Sequence, residues 1–282
     1  MRYGISLPIK DLSKIKILKT AGFDYMETML AGLYAASPDK IAEFTETMNE
    51  NKIKCEAVNV FFPGDMALVG DNADFAKVQD YVGEACEKTK SVGFKIAVFG
   101  SGRSRHCPEG FPKERAIEQI IKLMREILVP AAEKYNFILA VEELHKGESN
   151  TINSLSEAEE IAKQVSHKNV KVLADLYHMA KEGETLAALK DADMLAHCHI
   201  ASPAERLYPQ SSDTPENIAA CKRFFADLLA VGYDGRMSIE GSLGGLAASD
   251  EPVPEFIEPA NRAFYLEAKY SLAFMKSISN IS

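Results

Sequence analysis

The chain alternates short apolar runs with longer segments of helical periodicity, eight times in succession. The apolar runs are nearly continuous, which is typical of strands that are buried on both faces. Between them, apolar residues recur at the three- and four-residue spacing of an amphipathic helix, as in "KERAIEQIIKLMREILVPAAEKYN". Eight strand–helix units predict a parallel sheet, and eight is the number of strands that closes a barrel.

The predicted strands are, in order, "RYGISL", "DYMETML", "IKCEAVNVFF", "FKIAVFGSG", "FILAVEEL", "VKVLADLYHM", "MLAHCHIAS" and "GRMSIEGS". The sixth helix is predicted at "GETLAALKDA" and the last near "FIEPANRAFYLEAKYSLAFMKSI". Long loops follow strands three, four, seven and eight, at "PGDMALVGD", "GSGRSRHCPEGF", "PAERLYPQSSD" and "LGGLAASDEPVP". Such loops build the active-site face of a barrel. We therefore predict an α/β fold with one domain, a single (β/α)8 TIM barrel over residues 1–282.

Composition and charge restrict the partners of this chain. Its 282 residues are 46% hydrophobic, and 41 Asp and Glu outnumber 32 Lys and Arg, for a net charge of −9. An acidic surface repels phosphate backbones, which disfavours nucleic acid as a partner. No apolar run reaches the roughly 18 residues of a membrane span, and the N-terminal segment lacks signal-peptide features. Five scattered cysteines without CxxC spacing indicate a reducing compartment. We expect a cytoplasmic protein with no membrane partner.

Side chains that could bind a metal follow four successive predicted strands. They are Glu142, Asp175, His199 and Glu240, on strands five to eight. Because the C-terminal ends of parallel strands meet at one face of a barrel, we expect these side chains to converge. Three carboxylates and one imidazole suit Mn²⁺ or Mg²⁺ better than Zn²⁺, with Co²⁺ and Zn²⁺ as alternatives.

Two local patterns at these strands leave alternatives open. Glu142 and Glu143 are adjacent, so at most one of them faces the barrel axis. His197 and His199 are two apart and face the same way. That pair is either a metal clamp or one ligand beside a packed, hydrogen-bonded barrel histidine.

The loop "FGSGRSR" after strand four is a second candidate site. Gly100 and Gly102 would let the backbone approach a ligand closely, and Arg103 and Arg105 could pair with a phosphate or a hydroxyl-rich substrate. The alternative is a flexible loop with solvated arginines. The spacing matches neither a Walker loop nor a dinucleotide fingerprint. Arg206, beyond strand seven, is a better-placed cation unless it forms a surface salt bridge.

At these residues the chain resembles the xylose isomerase-like TIM-barrel superfamily of sugar isomerases and epimerases. The segments that carry the resemblance are "GFDYME", "VFGSGRSR", "VEELHKGE", "ADLYHM", "HCHIA" and "YDGRMSIE". Similarity to ketose 3-epimerases and hydroxypyruvate isomerases implies that the four strand-end residues bind the metal. It also implies that His178, Arg206 and Glu148 contact the substrate. His145 stands where many ketose epimerases carry Asn, and we include it with Arg105 in the predicted substrate site.

The predicted function is a divalent-metal-dependent isomerase or epimerase of carbohydrate metabolism, acting on a small sugar, ketose or sugar phosphate. Glu142 and Glu240 would serve as an opposed base and acid around an enediolate intermediate. The alternatives are a metal-dependent dehydratase of a keto-inositol type substrate and a non-catalytic sugar-binding barrel. A nuclease like endonuclease IV is disfavoured by the acidic charge and by its need for more metal ligands. A homo-oligomer formed through the outer helices is left open.

Overall fold

The computed structural model describes residues 1–244 and 251–279, and within these ranges eight parallel strands form a barrel. The strands are β1 (Arg2–Ile5), β2 (Met26–Met29), β3 (Cys55–Asn59), β4 (Ile96–Phe99), β5 (Ile138–Glu142), β6 (Val170–Asp175), β7 (Leu195–Ile200) and β8 (Arg236–Ile239). Their hydrogen-bonded order is β1-β8-β7-β6-β5-β4-β3-β2. A single parallel bridge between Ser6 and Glu27 joins the β1 and β2 edges. The predicted single (β/α)8 TIM barrel is confirmed, whereas the domain limits 1–282 stay a prediction.

Helices surround the strands on the outside of the barrel. They are α1 (Leu12–Ala21), α2 (Leu30–Ala35), α3 (Pro38–Glu50), α4 (Phe75–Thr89), α5 (Lys113–Leu123), α6 (Val129–Tyr135), α7 (Leu155–Val165), α8 (Leu176–Glu182), α9 (Pro215–Ala230) and α10 (Arg262–Ser279). Side chains cap several N-termini: Ser37 accepts a hydrogen bond from Lys40 N, and Thr214 from Asn217 N. In both helices a proline occupies the first turn, where its missing N–H costs nothing.

The apolar core has two parts. The larger part lies between the strands and the helices and contains most of the buried hydrophobic residues. The smaller part fills the barrel interior with Tyr25, Ala57, Ile96, Val98, Ala140 and Leu173. A Cβ atom on Gly4 would lie 2.3 Å from the Tyr25 ring, so a glycine is required where this ring crosses β1. The barrel is therefore a packed core with a site at one end, not a pore.

The sixth strand–helix unit differs from its prediction. The predicted strand "VKVLADLYHM" ends at Asp175, four residues early, and α8 begins at the next residue. The Asp175 carboxylate accepts a hydrogen bond from Tyr177 N at 2.7 Å and thereby caps α8. The segment predicted as the sixth helix, residues 183–192, instead contains one short 3₁₀ turn, Leu186–Ala188, and a second, Ala192–Met194, begins at its last residue.

The fourth predicted helix is also interrupted. A π-helical turn, Met124–Leu128, separates α5 from α6, and Pro130 is the second residue of α6. Proline has no N–H and its ring crowds the preceding turn, so the widened π turn accommodates it. Long segments follow β3, β4 and β7, as predicted, while residues 245–250 of the predicted loop after β8 lie outside the described residues. No helix in the described part of the chain is long and apolar enough to cross a membrane.

Candidate metal centre and active site

The four predicted metal-binding side chains converge at the C-terminal ends of β5 to β8. Glu142 ends β5, Asp175 ends β6, His199 lies in β7, and Glu240 directly follows β8. One donor atom from each lies within 4.8 Å of the other three. His199 Nδ1 is 3.2 Å from Glu142 Oε1, 3.4 Å from Glu240 Oε2 and 3.8 Å from Asp175 Oδ2. We call these four residues the strand-end cluster; their role as ligands stays a prediction.

Burial of the strand-end cluster changes the pKa values of its carboxyl groups. Loss of water raises the pKa of Glu142, and it raises the pKa of Asp175 to about 6 even though His199 opposes the shift. Burial also opposes ionisation of Glu240, but the charges of His199 and Arg206 outweigh it and lower that pKa to about 2. The different environments of these carboxyls push their pKa values apart.

The cluster fits a divalent cation. Asp175 Oδ2 is buried and has no hydrogen-bond partner among the described residues. Such an oxygen is costly in a protein interior unless a cation or a donor meets it. Three carboxylates with one imidazole form an oxygen-rich donor set of the kind that Mn²⁺ and Mg²⁺ prefer.

A second carboxylate–imidazole group lies directly beneath the cluster. Glu27, fully buried on β2, places Oε1 3.0 Å from His199 Nε2 and Oε2 2.9 Å from His197 Nε2. This contact holds the Nε2 side of the His199 ring, so that Nδ1 faces the strand-end carboxylates. Because His197 contacts Glu27 and the Arg236 carbonyl, it matches the packed, hydrogen-bonded barrel histidine.

Sequence reasoning assigned no role to Glu27, although a signal was present. The residue interrupts the apolar strand "DYMETML", where a carboxylate requires a buried partner. Asp175 was recognised from the same kind of interruption. The partners of Glu27 lie on β7, far along the chain, so the sequence alone did not connect them.

Glu143 is not a member of the strand-end cluster and is not among the residues that line the adjacent cavity, in keeping with the alternation along a strand. It is nevertheless buried, and its Oε1 accepts a hydrogen bond from Asp175 N at 2.8 Å. Burial raises the pKa of Glu143 well above its usual range. The side chain therefore ties the end of β5 to the end of β6, next to two members of the cluster.

Arg206 and Glu148 extend the site toward solvent. Arg206 Nη1 donates to Glu148 Oε1 at 2.8 Å, and Nη2 donates to Glu240 Oε2 at 2.6 Å. The guanidinium also lies over the Tyr177 ring, 4.9 Å from its centroid. A Cβ atom on Gly241 would lie 2.6 Å from the Arg206 carbonyl oxygen, so this close approach requires glycine.

His178 and His145 form a stacked pair beside the cluster. Their ring centroids are 5.0 Å apart, and the two Nδ1 atoms are separated by 2.8 Å. Burial lowers the pKa of His178 to about 4, which keeps its imidazole neutral. Its Nε2 is 3.8 Å from Asp175 Oδ2 and has no hydrogen-bond partner among residues 1–244 and 251–279. The ring therefore has an open position on its cluster side.

Arg105, the remaining predicted substrate residue, lies buried beneath the loop after β4 that carries it. It is fully buried, with Nε donating to Gly100 O at 2.5 Å and Nη2 donating to Glu142 O at 2.7 Å. Burial lowers the pKa of this guanidinium to about 10. These bonds fix the loop to the end of β5. A substrate contact of Arg105 stays a prediction, and Arg105 is absent from the residues found to line the adjacent cavity.

The site opens into a cavity of about 350 Å³. Its lining residues come mainly from the ends of the strands and the loops after β3, β4 and β5: Asn59, Val60, Phe62, Gly64, Ser101, Gly102, Arg103, Ser104, Glu142, Leu144, Glu148, Arg206 and Glu240. Three of them, Val60, Ser101 and Arg206, have positive φ angles of 41°, 41° and 55°. For a β-branched residue such as valine this is a strained conformation, and strain of this kind concentrates at functional sites.

Fold and site together define a TIM barrel with a candidate divalent-metal centre at the C-terminal face of its strands. The model of one family, described as a xylose isomerase-like TIM barrel, matches residues 15–258. The chain belongs to this family, which confirms the resemblance inferred from the sequence.

Two curated relatives are sugar epimerases. A D-psicose 3-epimerase of Enterocloster bolteae is 26% identical over 196 residues, which cover 66% of this chain and 63% of the relative. A 3-dehydro-D-guloside 4-epimerase of Escherichia coli K12 is 31% identical over 119 residues, which cover 42% and 43%. The chain thus spans less than two thirds of the length of each curated relative that it matches.

Solved structures with the same fold cover nearly the whole chain. A D-psicose 3-epimerase with D-tagatose from Clostridium cellulolyticum H10 superposes with a TM-score of 0.75 at 20% identity, over 99% of both chains. The apo 3-keto-D-glucoside 4-epimerase of E. coli gives 0.74 at 22% identity, over 98% of this chain and 99% of that one. A family 2 AP endonuclease from Brucella melitensis gives 0.68 at 22% identity, over 87% and 95%. At such identities these likenesses show the fold alone.

Proposed function

We propose that this protein is a divalent-metal-dependent epimerase or isomerase of a small ketose or sugar phosphate. The observation that carries the proposal is the placement of Glu142 and Glu240. Both line the same cavity, while they come from β5 and β8, two strands that are not neighbours. Two carboxylates that approach one cavity from different strands suit removal and return of a proton. The similarity to two sugar epimerases supports the same class of substrate.

The metal would be held by Glu142, Asp175, His199 and Glu240. When bound, a divalent cation supplies Lewis-acid polarisation of the substrate carbonyl, which acidifies the neighbouring C–H group. The unpartnered Asp175 Oδ2 and the oxygen-rich donor set support Mn²⁺ or Mg²⁺ in this place.

The two glutamates would move the proton. One removes it from the carbon next to the carbonyl and leaves an enediolate. The other returns a proton to the opposite face, which inverts the centre. Return to the neighbouring carbon would instead interconvert a ketose and an aldose. Arg206 holds the Glu240 carboxylate through its 2.6 Å hydrogen bond and so fixes the direction from which this group acts.

His178 would contact a substrate oxygen. The backbone N–H of His145 donates to His178 Nδ1 at 3.3 Å, so this nitrogen is the acceptor. In a neutral imidazole the proton then resides on Nε2, which faces the cluster without a partner. The ring would therefore donate a hydrogen bond to the substrate, with His145 as the group that sets its tautomer.

The test combines metal titration with isotope exchange. Wild-type protein should bind one equivalent of Mn²⁺, and Asp175→Ala should lose it. Metal-loaded wild type should incorporate deuterium from heavy water into a ketose, while Glu240→Gln folds but does not exchange. Glu205→Gln, which removes one carboxylate charge at the exposed residue next to Arg206, is the control and should exchange normally. Turnover by Glu240→Gln would remove Glu240 from the mechanism, and absence of Mn²⁺ binding by wild type would make the cluster structural.

A further inference from the structure

The cavity contains a cation that the proposed proton transfer does not use. Arg103 is exposed at the tip of the loop after β4 and lines the same cavity as Glu142 and Glu240. Its guanidinium makes no hydrogen bond or ion pair with any described residue. Arg206, in contrast, uses both Nη atoms in bonds to carboxylates. Within the described part of the chain, Arg103 is therefore the unpaired cation of this cavity.

The loop that carries Arg103 is anchored on both sides. Ser101 Oγ accepts a hydrogen bond from Phe62 N at 3.0 Å, and Ser104 Oγ donates to Pro63 O at 2.9 Å. These two bonds tie the loop to the segment after β3. The buried arginine described above ties the same loop to the end of β5. The backbone of Arg103 is thus fixed relative to the catalytic end of the barrel, as a recognition group requires.

Two glycines allow the loop and its arginine to pack closely. A Cβ atom on Gly102 would lie 2.8 Å from Leu144 Cδ1 and 2.9 Å from Glu148 O, so the loop presses against the segment after β5. On the other side, a Cβ atom on Gly64 would lie 3.4 Å from Arg103 Cδ and 3.6 Å from its Nε. The aliphatic part of Arg103 therefore lies along the Gly64 backbone, and the guanidinium extends from a supported position.

We propose that Arg103 binds an anionic group, a phosphate or a carboxylate, at the end of the substrate remote from the reacting carbons. This inference rests on the proposed function and narrows its substrate class. A guanidinium offers two parallel N–H groups that match the oxygens of either anion. The Ser101 hydroxyl, whose oxygen already accepts the Phe62 N–H, retains its own proton to donate to the same group.

The charges that line the cavity favour this assignment. Glu142, Glu148 and Glu240 would repel an anionic substrate, and Arg206 is already committed to two of them. Among the described side chains that line the cavity, Arg103 is the cation without a carboxylate partner, so it can offset this repulsion together with the proposed metal. A neutral sugar would leave it without a partner.

The experiment compares neutral and anionic substrates of the same shape. Deuterium exchange in heavy water is measured with D-fructose, D-fructose 6-phosphate and a keto-uronate, using metal-loaded wild type, Arg103→Gln and Arg103→Lys. Wild type should prefer an anionic member, and the better of the two anions identifies phosphate or carboxylate as the group bound. Arg103→Gln should lower kcat/KM for that anion about tenfold to a hundredfold more than it lowers kcat/KM for D-fructose. Arg103→Lys, which retains the charge without the planar fork, should recover part of the loss.

Arg115→Gln is the matched control, because Arg115 is exposed on α5 and does not line the cavity. Arg115→Gln should leave the ratio of kcat/KM between anionic and neutral substrates unchanged. A wild-type preference for D-fructose, or an unaltered preference in Arg103→Gln, would overturn the inference and leave the proposed function intact. If no sugar exchanges, the proposed function fails, and calorimetric titration with inorganic phosphate and with acetate decides separately. Binding of either anion to wild type that is lost in Arg103→Gln would sustain the anion site, and equal binding by the two proteins or no binding of either anion would overturn it.

Discussion

Replacement of Glu27 by Gln tests the proposed metal centre without altering a ligand. Each carboxylate oxygen of Glu27 meets one histidine, with distances of 3.0 Å to His199 Nε2 and 2.9 Å to His197 Nε2. A glutamine side chain has one acceptor oxygen and one donor NH₂ group. It can accept from only one of the two rings, and its NH₂ group faces the other. Glu27→Gln also removes the negative charge that both rings face, so the hydrogen bond that orients the His199 ring should weaken.

The size of the effect can be worked from these contacts. Loss of one hydrogen bond to a charged group costs about 1.5 to 3 kcal/mol. Removal of the outer partner of a metal-binding histidine typically costs about ten- to a hundredfold in metal affinity. At about 1.4 kcal/mol per factor of ten, that loss is about 1.4 to 2.8 kcal/mol, in agreement with the first figure. We expect the Kd for Mn²⁺ to rise about ten- to a hundredfold in Glu27→Gln.

The assay is a calorimetric titration of Mn²⁺ into wild type and variant. The Tm of each metal-free protein is measured as well. Tyr25→Phe is the matched control. The Tyr25 hydroxyl is buried in the same barrel interior and lies 2.9 Å from Ser238 Oγ, without a hydrogen bond to Glu27. The Tyr25→Phe variant should be less stable to unfolding than the wild type, with an unchanged Kd for Mn²⁺. If Glu27→Gln folds cooperatively and binds Mn²⁺ with the same Kd as the wild type, Glu27 does not orient His199 for metal binding. An equal loss of affinity in Tyr25→Phe would assign the effect to barrel packing.

Two further substitutions test the geometry of the site and of the core. In Gly100→Ala the new Cβ would lie 2.0 Å from Glu142 Oε2, so proton exchange should fall at least about a hundredfold while the protein stays folded. Gly83→Ala, where a Cβ meets nothing within 4 Å, is its control, and equal activity of the two variants would contradict the displacement of Glu142. Phe225→Ala removes a fully buried ring and should lower the free energy of unfolding by about 3 to 5 kcal/mol in chemical denaturation. A loss below about 1 kcal/mol would show that the outer layer repacks around the gap.

The sequence predicted the barrel and the position of the strand-end cluster because both depend on local signals. An apolar run followed by a carboxylate or histidine marks a strand end, and a parallel barrel brings such ends together without further information. Glu142 and Asp175 were found in this way. Glu27 was not assigned, because its function depends on two histidines of β7 that only the closed barrel places beside it.

Irregular backbone limited the remaining predictions. The sequence could not separate Arg103 from Arg105, because the path of a loop has no periodicity that tells which side chain faces solvent. The structure buries Arg105 and exposes Arg103. The sixth helix was misplaced because Asp175 both follows a strand and caps a helix. Its cluster position was recognised, but its capping hydrogen bond was not.

The pairing of β1 with β8 has a consequence for how the protein is made. Of the eight described strands, β1 emerges from the ribosome before the others. The strand that pairs with β1 along its length, β8, emerges last. On its other side, β1 meets β2 through the bridge between Ser6 and Glu27 and through isolated hydrogen bonds such as that from Asp24 N to Tyr3 O. The strand-end cluster likewise draws on β5 to β8, and the carboxylate that orients its histidine comes from β2. A nascent chain therefore cannot complete the strand-end cluster until β8 has been synthesised, so binding of the proposed metal would come late in synthesis or after it.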